Sequence, residues 1–371
     1  MFLDNLSLIN FKSYSQLDIN FSSKINFFTG DNGEGKTNIL DSIYYLSFCK
    51  SFFTSVDSIN IKHNDKFFVI NGKYHIDNHI ENIYCGFEYG KKKIFKRNKK
   101  EYTKLAEHIG LIPSVMISPN DINLIIGNKE GRRKFIDGII SQYDREYLYK
   151  LQTYNKALQQ RNFLFKQYGK TRVLDEELLN LYDMELIENG NFIYDKRQAF
   201  IEEIIPIFQK YFTHISQGKE QVSLRYSSQL QEFDFEELLY QNRERDKINR
   251  YTTAGIHKDD IDLLLGDYSI KKIGSQGQQK TYLVSLKLAQ FEFVQKNSGC
   301  KPILLLDDIF DKLDSSRVEQ LIKLLADNSF GQVFITDTNP NRINKVLDKI
   351  EGEFCHFLVK NSEISIVNEK N

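Results

Sequence analysis

Cysteine is scarce in this chain, and what there is does not cluster. Cys49, Cys85, Cys300 and Cys355 are the only four, and none falls at C-x-x-C spacing. That argues against a disulfide framework or a zinc site and fits a reducing cytosol. Net charge is absent too, because 50 Lys and Arg offset 50 Asp and Glu. A polyanionic partner would have to be held by a local basic patch, not by the overall charge. No apolar segment approaches membrane-spanning length. Met1-Phe2-Leu3-Asp4-Asn5 also lacks the basic segment and apolar run of a secretory signal. A cytoplasmic chain with no membrane partner is therefore expected. Tryptophan is missing, but 28 Phe and 20 Tyr supply rings, mostly for core packing and less often for stacking on a ligand. At 371 residues the chain can build a large core in two lobes.

One stretch organises the rest. Gly30-Asp31-Asn32-Gly33-Glu34-Gly35-Lys36-Thr37 fits G-x-x-x-x-G-K-[ST] at every fixed position. Ile25 to Thr29 before it reads as a short buried strand. Asn38 to Leu46 after it reads as a helix with Leu40, Ile43 and Tyr44 on one face. Glycines let such a loop curl until its N–H groups point at phosphate oxygens, and the helix N-terminus adds partial positive charge. Lys36 would reach the β- and γ-phosphates and the Thr37 hydroxyl would ligate Mg2+. A second element answers it far along the chain: Ile303 to Leu306, a continuous apolar run of parallel-strand type, ends in Asp307 and Asp308. An aspartate at that position meets Mg2+, and the next acid can polarise an attacking water.

Around these two motifs the chain reads as α/β. Residues 2–28 alternate as two or three strands. Lys12, in the turn Asn10 to Tyr14, either touches the nucleotide or is a solvated turn residue. Strands follow in 58–97, with Asn98-Lys99 as a hairpin tip. The run 91–100 holds seven basic residues. Lys91, Lys92, Lys93, Lys96, Arg97 and Lys99 either form a solvated strand edge or contact a nucleic-acid backbone, with Phe95 interleaved. Residues 127–131 read as a loop. Arg132 to Phe208 is helical, broken at Gln167-Tyr168-Gly169-Lys170, as a hairpin inserted into the α/β part. The division expected is 1–130 with 252–371 as one lobe and 131–251 as the inserted helical lobe. Residues 232–249 read as a polar helix or linker, and His257 reads more readily as structural than as catalytic. Ser275 to Lys280 opens a helix that buries Leu283, Leu286, Ala289 and Phe293 along one side. It is either a well-capped helix or an N-terminus aimed at phosphate. A last parallel strand, Gln332 to Thr336, ends at Asp337-Thr338-Asn339, and Asn339-Pro340 starts a further helix.

Several of these segments, in this order, resemble bacterial RecF, an SMC-like branch of the ABC-type ATPases: Asn10-Phe11-Lys12-Ser13-Tyr14, Gly30 to Asn38, Lys50-Ser51-Phe52, Ser118-Pro119-Asn120-Asp121, Arg132 to Asp137, Tyr154 to Asn162, Gly255 to Asp260 and Ser275-Gln276-Gly277-Gln278-Gln279-Lys280. The resemblance implies an ABC-ATPase head, a P-loop NTPase core with a β-rich N-terminal part and no long coiled coil. It implies ATP and Mg2+ held by Gly30, Asp31, Asn32, Gly33, Glu34, Gly35, Lys36, Thr37 and Asn38. It further implies Thr37 and Asp307 at the metal, Lys36 and Asp308 in hydrolysis, and Ser275 and Gly277 on the γ-phosphate of a second copy, with 311–314 across that interface. An ATP-dependent homodimer would bind single- and double-stranded DNA, at gaps or junctions, and work with RecR, RecO and RecA, helping RecA replace single-strand-binding protein in repair linked to the SOS response. Hydrolysis would be weak and DNA-stimulated: the Ser118 region lacks a glutamine, Thr336-Asp337-Thr338 lacks a histidine, and Asp308 is one methylene shorter than glutamate. The competing expectation is an ABC-type ATPase subunit of a transporter or nuclease complex.

Overall fold

The computed structural model describes residues 1–218, 220–310, 315–326, 330–340, 342, 347 and 352–370. In chain order the first unit starts with β1 (Phe2–Phe11), β2 (Tyr14–Asn20), β3 (Ile25–Thr29) and α1 (Lys36–Phe48). It continues through β4 (Phe67–Ile76), β5 (His79–Glu88), β6 (Ile94–Arg97), β7 (Lys100–Glu101) and β8 (Ser114–Ile117). The second unit carries α2 (Asn123–Ile126), α3 (Lys129–Ile140), α4 (Arg145–Thr171) and most of α5 (Glu176–Ser216). It then adds β9 (Val222–Ser227), α6 (Phe235–Gln241), α7 (Arg243–Asn249), β10 (Asp260–Leu265), β11 (Tyr268–Ser269) and α8 (Ile270–Ile273). The chain returns to the first unit with α9 (Gln276–Ser298), β12 (Ile303–Leu306), α10 (Ser315–Ala326), β13 (Val333–Asp337), β14 (Phe354–Lys360) and β15 (Glu363–Lys370). The first unit thus comprises 1–121, 214–217 and 276–371, the second 122–213 and 218–275.

The first unit has two sheets. One is antiparallel, in the order β2-β1-β4-β5-β6-β7. The other runs β15-β14-β3-β13-β12-β8, with β14, β3, β13, β12 and β8 all parallel. Strands buried on both faces carry continuous apolar runs, as β12 does, while β3 is buried throughout with Asn26 and Thr29 among its apolar residues. Helix α1 lies among residues of both sheets: Ile39, Leu40, Ile43 and Leu46 share one core with Leu3, Leu6 and Ile70 on one side and with Leu305, Phe334 and Phe357 on the other. Its apolar residues consequently go all the way round. Helix α9 is the same kind of element. Burial runs through Thr281 to Phe291, beyond the single face expected from Leu283, Leu286, Ala289 and Phe293.

In the second unit α4 runs without a break through Gly169 to Thr171 and ends where Arg172 turns left-handed at φ 59°. Gly169 serves close packing, not a break: a Cβ there would stand 2.7 Å from Nε of Arg250. Gly131 is likewise helical, in the first turn of α3, where its N–H donates to the Asn128 side chain at 3.0 Å. Residues 235–249 form α6 and α7, joined at Asn242. A three-stranded antiparallel sheet, β11-β10-β9, completes this unit. Two buried arginines hold it internally. Arg161 reaches Asp183 and Asp246, and Arg197 reaches Asp137 and Asp259. His257 is structural: it faces the Tyr154 hydroxyl at 2.9 Å and the Thr252 carbonyl at 3.1 Å, and burial lowers its pKa to about 4. The segment 311–314 and most of the helix expected after Asn339-Pro340 lie outside the described residues, but that helix's start is described: the Arg342 N–H donates to the Asn339 side chain at 3.3 Å.

Candidate nucleotide site

Parallel pairing sets the site. Because β3, β13, β12 and β8 run the same way, their C-terminal ends line one edge of the sheet. That edge is where open α/β sheets bind ligands. Thr29 there leads into the glycine loop, Leu306 into Asp307, and Ile117 into Ser118, while Asp337 ends β13.

The loop is shaped by glycine where nothing else fits. Gly30 has φ 148°, and a Cβ on it would sit 2.2 Å from the Val359 carbonyl oxygen of β14. Gly35, at φ 108°, starts α1. The loop closes on its own lysine. Lys36 is 5 % exposed and its Nζ donates to the carbonyls of Gly30 and Asp31, both at 2.7 Å. Asp31, Asn32 and Gly33 stay exposed at the rim. The Glu34 carboxylate accepts the Asn361 N–H from the tip of the β14–β15 hairpin.

The turn between β1 and β2 grips this loop from below. Tyr14 donates its hydroxyl to the Gly35 carbonyl at 3.2 Å, and Asn38 donates its side-chain amide to Ser13 Oγ at 2.9 Å. Lys12 pairs with the fully buried Asp41 at 2.6 Å. The expectation of a solvated turn residue at Lys12 is therefore corrected. An internal carboxylate drew it in, and its side chain is only 16 % exposed. The Lys12-Ser13-Tyr14 run is visible in the sequence. The carboxylate it answers is not, because Asp41 lies in the middle of a helix.

The two motifs meet across 270 residues. Thr37 Oγ1 donates to Asp307 Oδ1 at 2.7 Å. Thr336 Oγ1 donates to the same oxygen at 2.9 Å and accepts the N–H of Asp308 at 3.0 Å. Thr336 is a site residue that sequence reasoning misses, since its segment stands out only for lacking a histidine. Burial raises the pKa of Asp307, with Asp308 adding to the rise, while bonds from Thr37 and Thr336 and the charge of Lys36 oppose it. Asp308 sits in the left-handed region at φ 45°. Hydroxyl and carboxylate oxygens converging beside a phosphate loop are the donor set Mg2+ takes. A buried carboxylate whose ionised form is disfavoured is one that a cation would relieve. The residues fit that metal, with Thr37 and Asp307 to hold it.

The helix carrying Ser-Gln-Gly-Gln-Gln starts at Gln276, directly after Ser275. Ser275 and Gln276 are exposed, whereas burial begins at Thr281. Gly277 lies against α10, where a Cβ would meet Nη1 of Arg317 at 2.9 Å. Lys280 donates to the Asp308 carbonyl at 3.4 Å.

The basic run divides. Asn98 and Lys99 have φ of 48° and 71° and make the tight hairpin turn between β6 and β7. Lys93 is an internal residue: Nζ meets Asp57 and donates to the Tyr45 hydroxyl and the Cys49 carbonyl. Arg97 is clamped by Glu81 through two bonds of 2.7 and 2.8 Å. Phe95 is core. Lys93 and Phe95 thus lie inside the fold, while Arg97 keeps 42 % of its side chain exposed beside Glu81. Lys91 pairs with Glu88 and Lys96 lies over the Tyr84 ring. Lys91, Lys92 and Lys99 remain exposed.

Among the described residues no helix is long and apolar enough to cross a membrane. A family model, the RecF/RecN/SMC N terminal domain, matches residues 2–356. The DNA replication and repair protein RecF of Bacteroides fragilis is 51 % identical over 371 residues, all of both chains. That of Flavobacterium johnsoniae is 47 % identical over 347 residues, covering 94 % of this chain and 97 % of its own. Among solved structures, the recombination mediator protein RecF bound to ATP, in the RecFOR pathway, superposes with a TM-score of 0.89 at 28 % identity, covering 99 % of this chain and 98 % of that one. A Pyrococcus furiosus Smc head domain reaches a TM-score of 0.58 at 18 % identity, covering 99 % and 96 %, a likeness of fold.

Proposed function

The chain belongs to the RecF family, within the RecF/RecN/SMC N-terminal group, and from that membership we propose that it is an ATP-gated, DNA-binding recombination mediator of replication and repair. One observation carries the reading: the bond from Thr37 to Asp307, which joins a phosphate loop to a strand-end carboxylate 270 residues away.

Lys36 exchanges the Gly30 and Asp31 carbonyls for the β- and γ-phosphate oxygens of ATP, and the freed loop turns its N–H groups inward. Thr37 and Asp307 would hold Mg2+, which would supply neutralisation of phosphate charge. Asp308 takes a proton from the attacking water, and its short side chain keeps hydrolysis slow, a weak activity that DNA stimulates. The exposed Ser275 and the N-terminus of α9 then meet the γ-phosphate held by a second copy, so the terminal charge is answered by two helix ends instead of one. ADP lacks that charge and should not close the pair.

Closure sets two basic sheet edges, with Lys91, Lys92, Lys96 and Lys99 of each copy, along gapped, junction, single- or double-stranded DNA. The pair works in the cytoplasm with RecR, and through RecO it helps RecA displace single-strand-binding protein, a step tied to the SOS response. The test is DNA binding with ATP, ADP or no nucleotide, on gapped, single-stranded and duplex substrates. Tighter binding with ATP alone, lost in Lys36→Met, supports the reading. Equal binding in all three states overturns it.

A further inference from the structure

The helix that follows Ser275 carries a buried charge that phosphate binding does not use. Lys287 lies about three turns into α9 and is 5 % exposed. Its ammonium meets Asp121 Oδ1 at 2.9 Å, donates to the Met116 carbonyl at 3.0 Å, and stands 5.7 Å from the centre of the Phe52 ring.

Each contact leads to a different part of the nucleotide site. Met116 precedes Ile117, whose carbonyl accepts the N–H of Asp307 at 2.8 Å. Phe52 donates its own N–H to Asp41 Oδ1 at 2.7 Å, and Asp41 lies on α1, one turn beyond Thr37. Asp121 uses its other oxygen to accept the Ser118 N–H at 2.8 Å, where β8 ends. One cation therefore ties the helix of the phosphate loop, the strand beside Asp307 and the turn after β8 to the helix whose N-terminus faces outward. Burying an ion pair costs desolvation that attraction barely repays, and an apolar pair would fill the space at least as well. Packing alone gives no reason for charge here.

We propose that Lys287 and Asp121 are a positioning pair, which keeps the first turn of α9 in register with the phosphate loop and Asp307, so that an ATP-loaded chain presents that turn to its second copy. This rests on the ATP-dependent pairing proposed above.

The test uses the full chain. Affinity for a fluorescent ATP analogue and nucleotide-dependent self-association by sedimentation are measured in the wild type, in Asp121→Asn, Lys287→Met and the double variant, and in Lys287→Arg, which keeps the charge. The expected result is ATP affinity within about twofold of the wild type and self-association about tenfold weaker in either single variant. The double variant should be no weaker than the singles, and Lys287→Arg should recover most of the association. Asp121→Asn keeps side-chain shape and the bond from Ser118, so it decides alone if Lys287→Met does not fold. Unchanged self-association in Asp121→Asn, or ATP affinity falling in step with association, overturns the coupling. A wild type that stays monomeric with ATP overturns the pairing on which the coupling rests.

Discussion

At Asp307, burial and charge are in conflict. Burial raises its pKa above the usual 3.8, so the folded chain retains a proton that the unfolded chain has already released. The unfolded state then binds fewer protons, and stability falls as pH rises from the unfolded value through the folded one. Above that window the penalty is present in full. Asp307→Asn should therefore raise the melting midpoint of the nucleotide-free protein at neutral pH and abolish the gain from Mg2+ and ATP. A lower midpoint without nucleotide would contradict this. Asp308 presents the opposite case, a strained backbone at φ 45° around a carboxylate proposed for proton transfer. Asparagine tolerates the left-handed region as aspartate does. Asp308→Asn should leave ATP affinity unchanged and slow single-turnover phosphate release roughly 100-fold. Equal loss of both would mean that the carboxylate only shapes the loop.

Among the elements, the glycine loop and its flanking strand and helix are legible in the amino-acid order itself, because a motif of fixed spacing between a strand and a helix admits few other readings. The buried run ending at Asp307 and the left-handed turn at Asn98-Lys99 are legible for the same reason: each is a local pattern with one geometric solution. What escapes is non-local. Whether Lys12 pairs with Asp41, whether Lys93 turns inward to Asp57, and whether Gly169 breaks a helix or makes room for Arg250 all depend on residues far along the chain. Thr336 escapes because a threonine at a strand end has no signature of its own. Gly30 tests the element directly. Alanine there would push a Cβ to 2.2 Å from the Val359 carbonyl, in a backbone region that favours glycine. Gly30→Ala should cost about 3 kcal/mol or more of stability, read by denaturant unfolding, with nucleotide binding lost. Alanine at Gly33, whose Cβ would meet nothing within 4 Å, should cost far less, chiefly the left-handed backbone.

For the whole molecule the overall charge is zero, so DNA affinity must come from local surface and must weaken with salt. Replacing both Lys92 and Lys99 by alanine removes four cations from a pair of copies and should flatten the dependence of log affinity on log salt by roughly 3.6. Lys93→Ala should leave that slope alone and instead lower the melting midpoint, because its ammonium sits on Asp57 inside the fold. A changed slope in Lys93→Ala would return it to the DNA surface. Beneath these expectations is the claim that the terminal phosphate of ATP joins two copies of the chain. The direct measurement is the mass of the protein by analytical ultracentrifugation with a non-hydrolysable ATP analogue and Mg2+, against ADP and Mg2+. The account predicts twice the chain mass of 43.6 kDa with the analogue and a single chain with ADP. A single chain under both conditions, at saturating nucleotide, would contradict it.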